Sequence, residues 1–222
     1  IDRKEKREGS EFNINPFKGD SNKVLGLQSN FRNVLFFNRG KQRYTSSYTF
    51  LTNRNRNLLS IGSIESKSRS HQLQFTHKFA TYWLVNLIQN FNKNESISEN
   101  FSNKNYNFDE IAFNPKLSYL LNDNTRFDVF YQFTNKKNTI GDSETLEQQK
   151  YGASFSFSNN QQMAINGEFN YFSNDFTGNA NTPVSYQMLE GLEPGKNYTW
   201  SLLTQKKLTK YLDLNLTYFG RK

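Results

Sequence analysis

The stretch TRFDVFYQFT, Thr125–Thr134, decides the fold. Phe127, Val129, Tyr131 and Phe133 fall at every second position, with Arg126, Asp128 and Gln132 between them. Successive side chains of a β-strand point to opposite faces, so this is a ribbon with one apolar and one polar face. On the lipid side of a barrel strand, an arginine at the membrane midplane costs on the order of 2–4 kcal/mol. That magnitude assigns the faces. Phe127, Val129, Tyr131 and Phe133 are expected to meet lipid, and Arg126, Asp128 and Gln132 a lumen.

The same alternation recurs from Val24 to Phe219 in segments of about a dozen residues, each long enough for a transmembrane strand. The first, Val24–Phe37, carries Leu25, Leu27, Phe31, Leu35 and Phe37 opposite Gln28, Asn30 and Arg32. Further strands are predicted at 42–52, 67–79 and 82–93, the last with Trp83, Val85, Leu87 and Phe91 on one face. Others are predicted at 111–121, 150–157 and 162–172, where Ile165, Phe169 and Tyr171 oppose Asn166 and Glu168. The final two, 197–207 and 211–219, expose Tyr198, Trp200, Leu214, Leu216 and Tyr218, with Asp213 and Asn215 behind. The pattern predicts an all-β chain: an antiparallel transmembrane outer-membrane β-barrel segment of about ten strands over 23–222. A polar linker or loop, 1–22, precedes it.

The connections alternate in length. Short turns are expected near Asn38, Ala80, Asn122, Asn159 and Thr209, and long polar loops at 53–65, 94–110, 135–147 and 173–196. In outer-membrane barrels the short turns are periplasmic and the long loops external. That scheme leaves Lys222 on the outer side and an open sheet with two edges, which lipid does not tolerate. Strands beyond this stretch are therefore expected on both sides.

Composition agrees. Only 35% of residues are hydrophobic, yet 16% are aromatic, with 21 Phe and 12 Tyr. A lumen-lined barrel accounts for both, since only alternate residues face lipid and aromatic girdles flank the band. The mean hydropathy is −0.83. No apolar run reaches the length of a transmembrane helix, and the charged start Ile1–Glu8 is unlike a signal peptide. The net charge of +8 is spread along the chain in no stripe or nucleic-acid motif, so nucleic acid is not an expected partner. There is no cysteine, which excludes disulfides and thiolate metal sites.

Candidate chemistry is sparse. His71 and His77 are six residues apart, roughly 20 Å on a strand, so they cannot share a metal. Asp142-Ser143-Glu144 and Asp109-Glu110 are paired carboxylates read as outer-loop residues, without the spacing of a calcium loop. No phosphate loop, nucleophile elbow or oriented Ser/His pair is present. The expectation is no catalytic residue, no metal and no cofactor. Phe101, Tyr106 and Phe176, read as loop aromatics, are candidates for stacking on sugars.

Two stretches carry a resemblance: Met188-Leu189-Glu190-Gly191-Leu192-Glu193-Pro194-Gly195-Lys196-Asn197-Tyr198-Thr199-Trp200 and Leu214-Asn215-Leu216-Thr217-Tyr218-Phe219-Gly220-Arg221-Lys222. With Phe36–Gly40 and Pro115–Tyr119, they resemble the C-terminal barrel region of large cell-envelope proteins of Bacteroidota. The resemblance implies an outer-membrane location and a non-enzymatic role as anchor or conduit in an export, assembly or surface complex. It implies outer-membrane lipid, lipopolysaccharide and other envelope proteins as partners. Two alternatives remain: the barrel end of a TonB-dependent receptor for glycans or siderophores, and a soluble all-β carbohydrate-binding module.

Overall fold

The computed structural model describes residues 2–5, 24–40, 43–59, 62–159 and 162–222. Eleven strands follow one another: β1 (Asp2–Glu5), β2 (Val24–Phe37), β3 (Tyr44–Leu59), β4 (Gly62–Lys78), β5 (Trp83–Ser98) and β6 (Tyr106–Asn122), then β7 (Thr125–Asn138), β8 (Thr145–Asn159), β9 (Met163–Thr177), β10 (Gly195–Lys207) and β11 (Asp213–Arg221). Each pairs with its sequence neighbour in one sheet, in the order β1 to β11. The ladders are antiparallel throughout, so the fold is an up-and-down meander. No β1–β11 pair closes it among the described residues, and the sheet is open. Among the described residues no helix is long and apolar enough to cross a membrane.

Three predicted loops shrink. Residues 53–59 and 62–65 are strand rather than loop: β3 runs on to Leu59 and β4 starts at Gly62, with Leu59 paired to Gly62. Likewise β5 and β6 extend to Ser98 and back to Tyr106, and β7 and β8 extend to Asn138 and back to Thr145. In the β3 extension both faces are polar: Asn53, Arg54, Asn55 and Arg56 follow one another. Backbone pairing continues where hydropathy no longer alternates, and only the second property is legible in sequence. The lead-in 1–22 lies outside the described residues except for β1, a strand of four charged residues with no hydropathic signal at all.

Antiparallel partners share a face, so the register carries the parity of one strand into the next. Tyr119 pairs with Phe127, Phe127 with Phe155, Tyr131 with Tyr151, Tyr151 with Tyr171 and Tyr171 with Tyr198. Phe127, Val129, Tyr131, Phe133, Trp83, Tyr198, Trp200, Leu214, Leu216 and Tyr218 therefore occupy a single face of the whole sheet. Arg126, Asp128, Gln132, Asn166, Glu168, Asp213 and Asn215 occupy the other.

Burial is the reverse of a water-soluble protein's. The apolar face is uncovered: Val129 is 63% exposed, with Leu35, Leu216 and Tyr218 similarly open. The buried set is largely polar, including Ser118, Thr134, Lys136, Asn138, Gln148, Asn170, Asn174 and Asn197.

Two glycines let aromatic rings lie flat on the sheet. Phe130, which sits on the polar face, covers Gly152, and Trp200 covers Gly220 on the apolar face, at the edge strand. Lys150 Nζ lies 5.1 Å from the Phe130 ring centroid and 5.4 Å from that of Phe172, a cation held between two rings. A Cβ at Gly152 would run into the Phe130 ring and the Asn170 amide. Gly152→Val is expected to destabilise the fold by about 1–3 kcal/mol, the range for overpacking. Gly167→Ala, whose Cβ meets nothing closer than 3.9 Å, is expected to leave stability unchanged. Thermal unfolding of the purified variants in detergent checks the pair.

Candidate functional site

The connection between β9 and β10 does not leave the sheet. Thr182-Pro183-Val184-Ser185 starts a short helix, α1 (Pro183–Met188). The Thr182 hydroxyl accepts from the Ser185 backbone N–H at 3.0 Å, and Pro183 takes the first turn, where no N–H is needed. Glu190 and Gly191, at φ 57° and 76°, then turn the chain away. The helix presents Val184 and Met188, followed by Leu189, to Phe108 of β6 and Leu146 of β8, with Tyr106 and Phe176 beside them. Met188 is 0% exposed. Phe108, Leu146, Tyr106 and Phe176 all lie on the polar face, so this small apolar cluster is a lid on one end of it.

Polar contacts fasten the lid. Lys136, 5% exposed, donates from Nζ to the Met188 carbonyl at 3.2 Å and to Glu190 Oε1 at 3.0 Å, and lies 3.4 Å from Glu110 Oε2. Asn174 donates to the Glu193 carbonyl at 2.9 Å, while Asn197 both donates to that carbonyl at 2.8 Å and accepts from the Glu193 N–H at 3.0 Å. Arg221 of β11 donates to the Gly191 carbonyl at 2.9 Å. The same segment, through Gln187 and Glu190, lines a cavity with Asn53 and Asn55 of β3. A flat sheet would hold β3 and β11 about 38 Å apart, at roughly 4.8 Å per strand. One short segment serves both, so the sheet curls about it.

Below the lid, cross-strand hydrogen bonds link many side chains of the polar face. Ser70 donates to Asn92, Gln72 to Asn90, and Gln74 and Thr76 to Asn86. Asn92 donates to Glu110 at 2.9 Å. Near the opposite end Arg126 donates to Asp128 at 2.7 Å and to the Ser118 hydroxyl at 2.8 Å. Glu168 accepts from Asn170 at 2.8 Å and stands 3.8 Å from Lys150.

The candidate chemical groups separate. Asp109 and Glu110 lie in β6, not in a loop, and as consecutive strand residues they point to opposite faces. Asp109 pairs with Lys93 on the apolar side, Glu110 with Lys136 under the lid. Glu144 of the Asp142–Glu144 triplet is buried and accepts from Asn138 Nδ2 at 2.8 Å, closing its own turn. His71 shares a hydrogen bond of 2.7 Å with the Tyr48 hydroxyl, on the apolar face. Among the described residues no three His, Cys, Asp or Glu side chains gather as a metal site would require. Tyr106 and Phe176 are strand residues packed at the lid, not loop aromatics, whereas Phe101 precedes a short 3-10 turn, under the Lys104 ammonium. At the same end Glu99 accepts from the Ser63 N–H at 2.8 Å, which holds its carboxyl below the usual range.

Two features escaped the alternation. α1 had a signal, the Thr182-Pro183 start that suits a cap and a first helical position. Lys136 had none, since a lysine between asparagines reads as solvated. No family model and no curated protein matches this chain.

Lys136→Met leaves the half-buried Glu110 without its counter-ion and the Met188 carbonyl without a donor. The expected result is a loss of about 3 kcal/mol in stability and new protease cleavage within 178–194. Lys136→Met combined with Glu110→Gln is expected to recover most of that loss. Thermal unfolding and limited proteolysis of the two variants measure it.

Proposed function

We propose that this chain forms part of the wall of an outer-membrane β-barrel, a non-enzymatic anchor or conduit within a larger envelope complex. The observation that carries this reading is the banding of the exposed apolar face. Along β5 that face runs Trp83, Val85, Leu87, Gln89, Phe91 and then Lys93 and Glu95. Along β6 it runs Tyr119, Leu117, Pro115, Phe113 and Ile111, then Asp109. Phe50 gives way to Arg54 and Arg56 on β3, Tyr151 to Glu147 on β8, and Tyr171 to Asp175 on β9.

From Trp83 to Phe91 is about 27 Å of strand, or roughly 20 Å of height at a 40° tilt, close to the apolar band of outer-membrane barrels. Both margins are aromatic. Tyr131, Tyr151, Tyr171 and Tyr198 form one belt, with neighbouring ring centroids 5.0, 6.2 and 5.2 Å apart. Trp83 and Tyr119, 4.8 Å apart, mark the other margin. Such rings suit the boundary between hydrocarbon and headgroups. Beyond the apolar band Arg54, Arg56 and Lys93 supply cations suited to anionic lipid and lipopolysaccharide, interleaved with Glu95, Asp109, Glu147 and Asp175.

A soluble module would need a second layer over the apolar face. Among the described residues, the hydrophobic cluster lies on the other face, under α1. The resemblance to Bacteroidota envelope proteins adds the setting of export, assembly or surface display and further envelope proteins as partners.

Val129→Arg places a charge amid the apolar face, whereas Gln132→Arg places one on the polar face. The first is expected to cost about 2–4 kcal/mol and to deplete the chain from carbonate-washed membranes. The second is expected to leave membrane recovery at the level of the unmodified chain. Equal recovery of both variants, or of neither, would contradict the proposed faces.

A further inference from the structure

We propose that the cavity beneath α1 binds a neutral oligosaccharide. It measures about 430 Å³, within the range of small-ligand sites. Its floor is made by Asn53 and Asn55 of β3, Ser66 and Ser68 of β4 and Asn94 of β5, with Tyr106 of β6 at the side. The register places Asn53, Ser68 and Asn94 in one cross-strand row and Asn55 with Ser66 in the next. Strands stand about 4.8 Å apart and rows about 7 Å apart, so the five side chains form a regular grid.

The chemistry of the grid selects the ligand. Each amide carries two donors and an acceptor, and each hydroxyl does both. A sugar hydroxyl also donates and accepts, so it pairs with such a grid in either sense. Farther down the same face the equivalent side chains are already tied to one another, Ser70 with Asn92 and Gln72 with Asn90. The five floor residues are not so tied, among the described residues.

Charge is neutralised within the cavity wall. Lys136 is engaged by Glu110 and Glu190, while Lys67 and Glu95, at the alternate strand positions, pair with each other at 2.9 Å on the opposite face. An anionic ligand thus finds no uncommitted cation among the described wall residues, and a cation finds no uncommitted carboxylate. Tyr106 is stacked on Phe108 at a centroid distance of 4.2 Å, which fixes the plane of its ring beside the grid. The C–H face of a pyranose packs against an aromatic ring while its hydroxyls turn to the amides. The site goes beyond the barrel reading and does not depend on it, since the cavity is walled by the sheet and α1 alone.

The test is calorimetric titration of the full chain in a detergent without a sugar headgroup, lauryl dimethylamine oxide. The probes are maltohexaose, xylohexaose and chitohexaose, with hexagalacturonate and hexaglycine as acidic and peptide controls. At least one neutral hexasaccharide is expected to bind at millimolar concentration or below. Asn94→Ala and Tyr106→Ala are each expected to weaken it roughly tenfold, about 1.4 kcal/mol. Gln72→Ala, below the cavity, should not change it. Unchanged thermal unfolding of each variant establishes that the fold is retained. Binding of hexagalacturonate or hexaglycine alone, no binding of any neutral probe, or binding unaltered by both cavity variants would overturn the site. None of those results bears on membrane recovery, which tests the barrel reading separately.

Discussion

The cross-strand ladder is the constraint on which everything else in this chain depends. Partners in an antiparallel pair share a face, and a slip of one residue would send every side chain of a strand to the other side. Here the register keeps parity from β2 to β11. Ser46 faces Phe75, Phe75 faces Leu87, Leu87 faces Pro115, and beyond the Pro115 gap Leu117 faces Val129. The gap itself has a simple cause: Pro115 has no N–H to give, and Asn114 and Pro115 have no partners in β7. Pairing resumes at Lys116 opposite Phe130 without a change of face. One mainly apolar face and one mainly polar face follow from that bookkeeping of even steps.

The polar surface solves a problem that the apolar one does not have. Buried amides, hydroxyls and charges must find partners, because an unpaired buried polar group costs about 1–3 kcal/mol. The chain meets this with rows of paired Asn, Gln and Ser, the Arg126–Asp128–Ser118 cluster and Lys136 under α1. The lid then adds an apolar nucleus on that side, around Met188 and Leu146. Its contacts to β6, β7, β8, β9 and β11 tie strands that are distant in the ladder. The lid therefore acts on the curl of the sheet as well as on access to its polar face.

How much of this the sequence discloses depends on what each segment needs. Where one face is apolar, alternation is visible, and Phe127 to Phe133 or Leu214 to Tyr218 can be placed on a face by inspection. Where both faces are polar, as at Asn53–Arg56, nothing in the residue types distinguishes a paired strand from a loop, and β3 and β4 are longer than they read. Phe130 shows the opposite failure. An aromatic at a polar-face position contradicts the pattern until Gly152 is seen opposite it, making room for the ring between strands. The lid was hidden for a third reason: its hydrophobic residues serve a long-range cluster with β6 and β8, and no local periodicity records such contacts.

The native chain contains no cysteine, so single cysteines can be introduced one at a time from position 126 to 133 of β7 without background. A nitroxide attached at each position, in lipid vesicles, reports collisions with oxygen, which is soluble in hydrocarbon, and with a water-soluble nickel complex. The account predicts a period of two: oxygen collisions dominate at 127, 129, 131 and 133, nickel collisions at 126, 128, 130 and 132. Odd positions shielded from both reagents would place the apolar stripe against protein rather than lipid, and would contradict it.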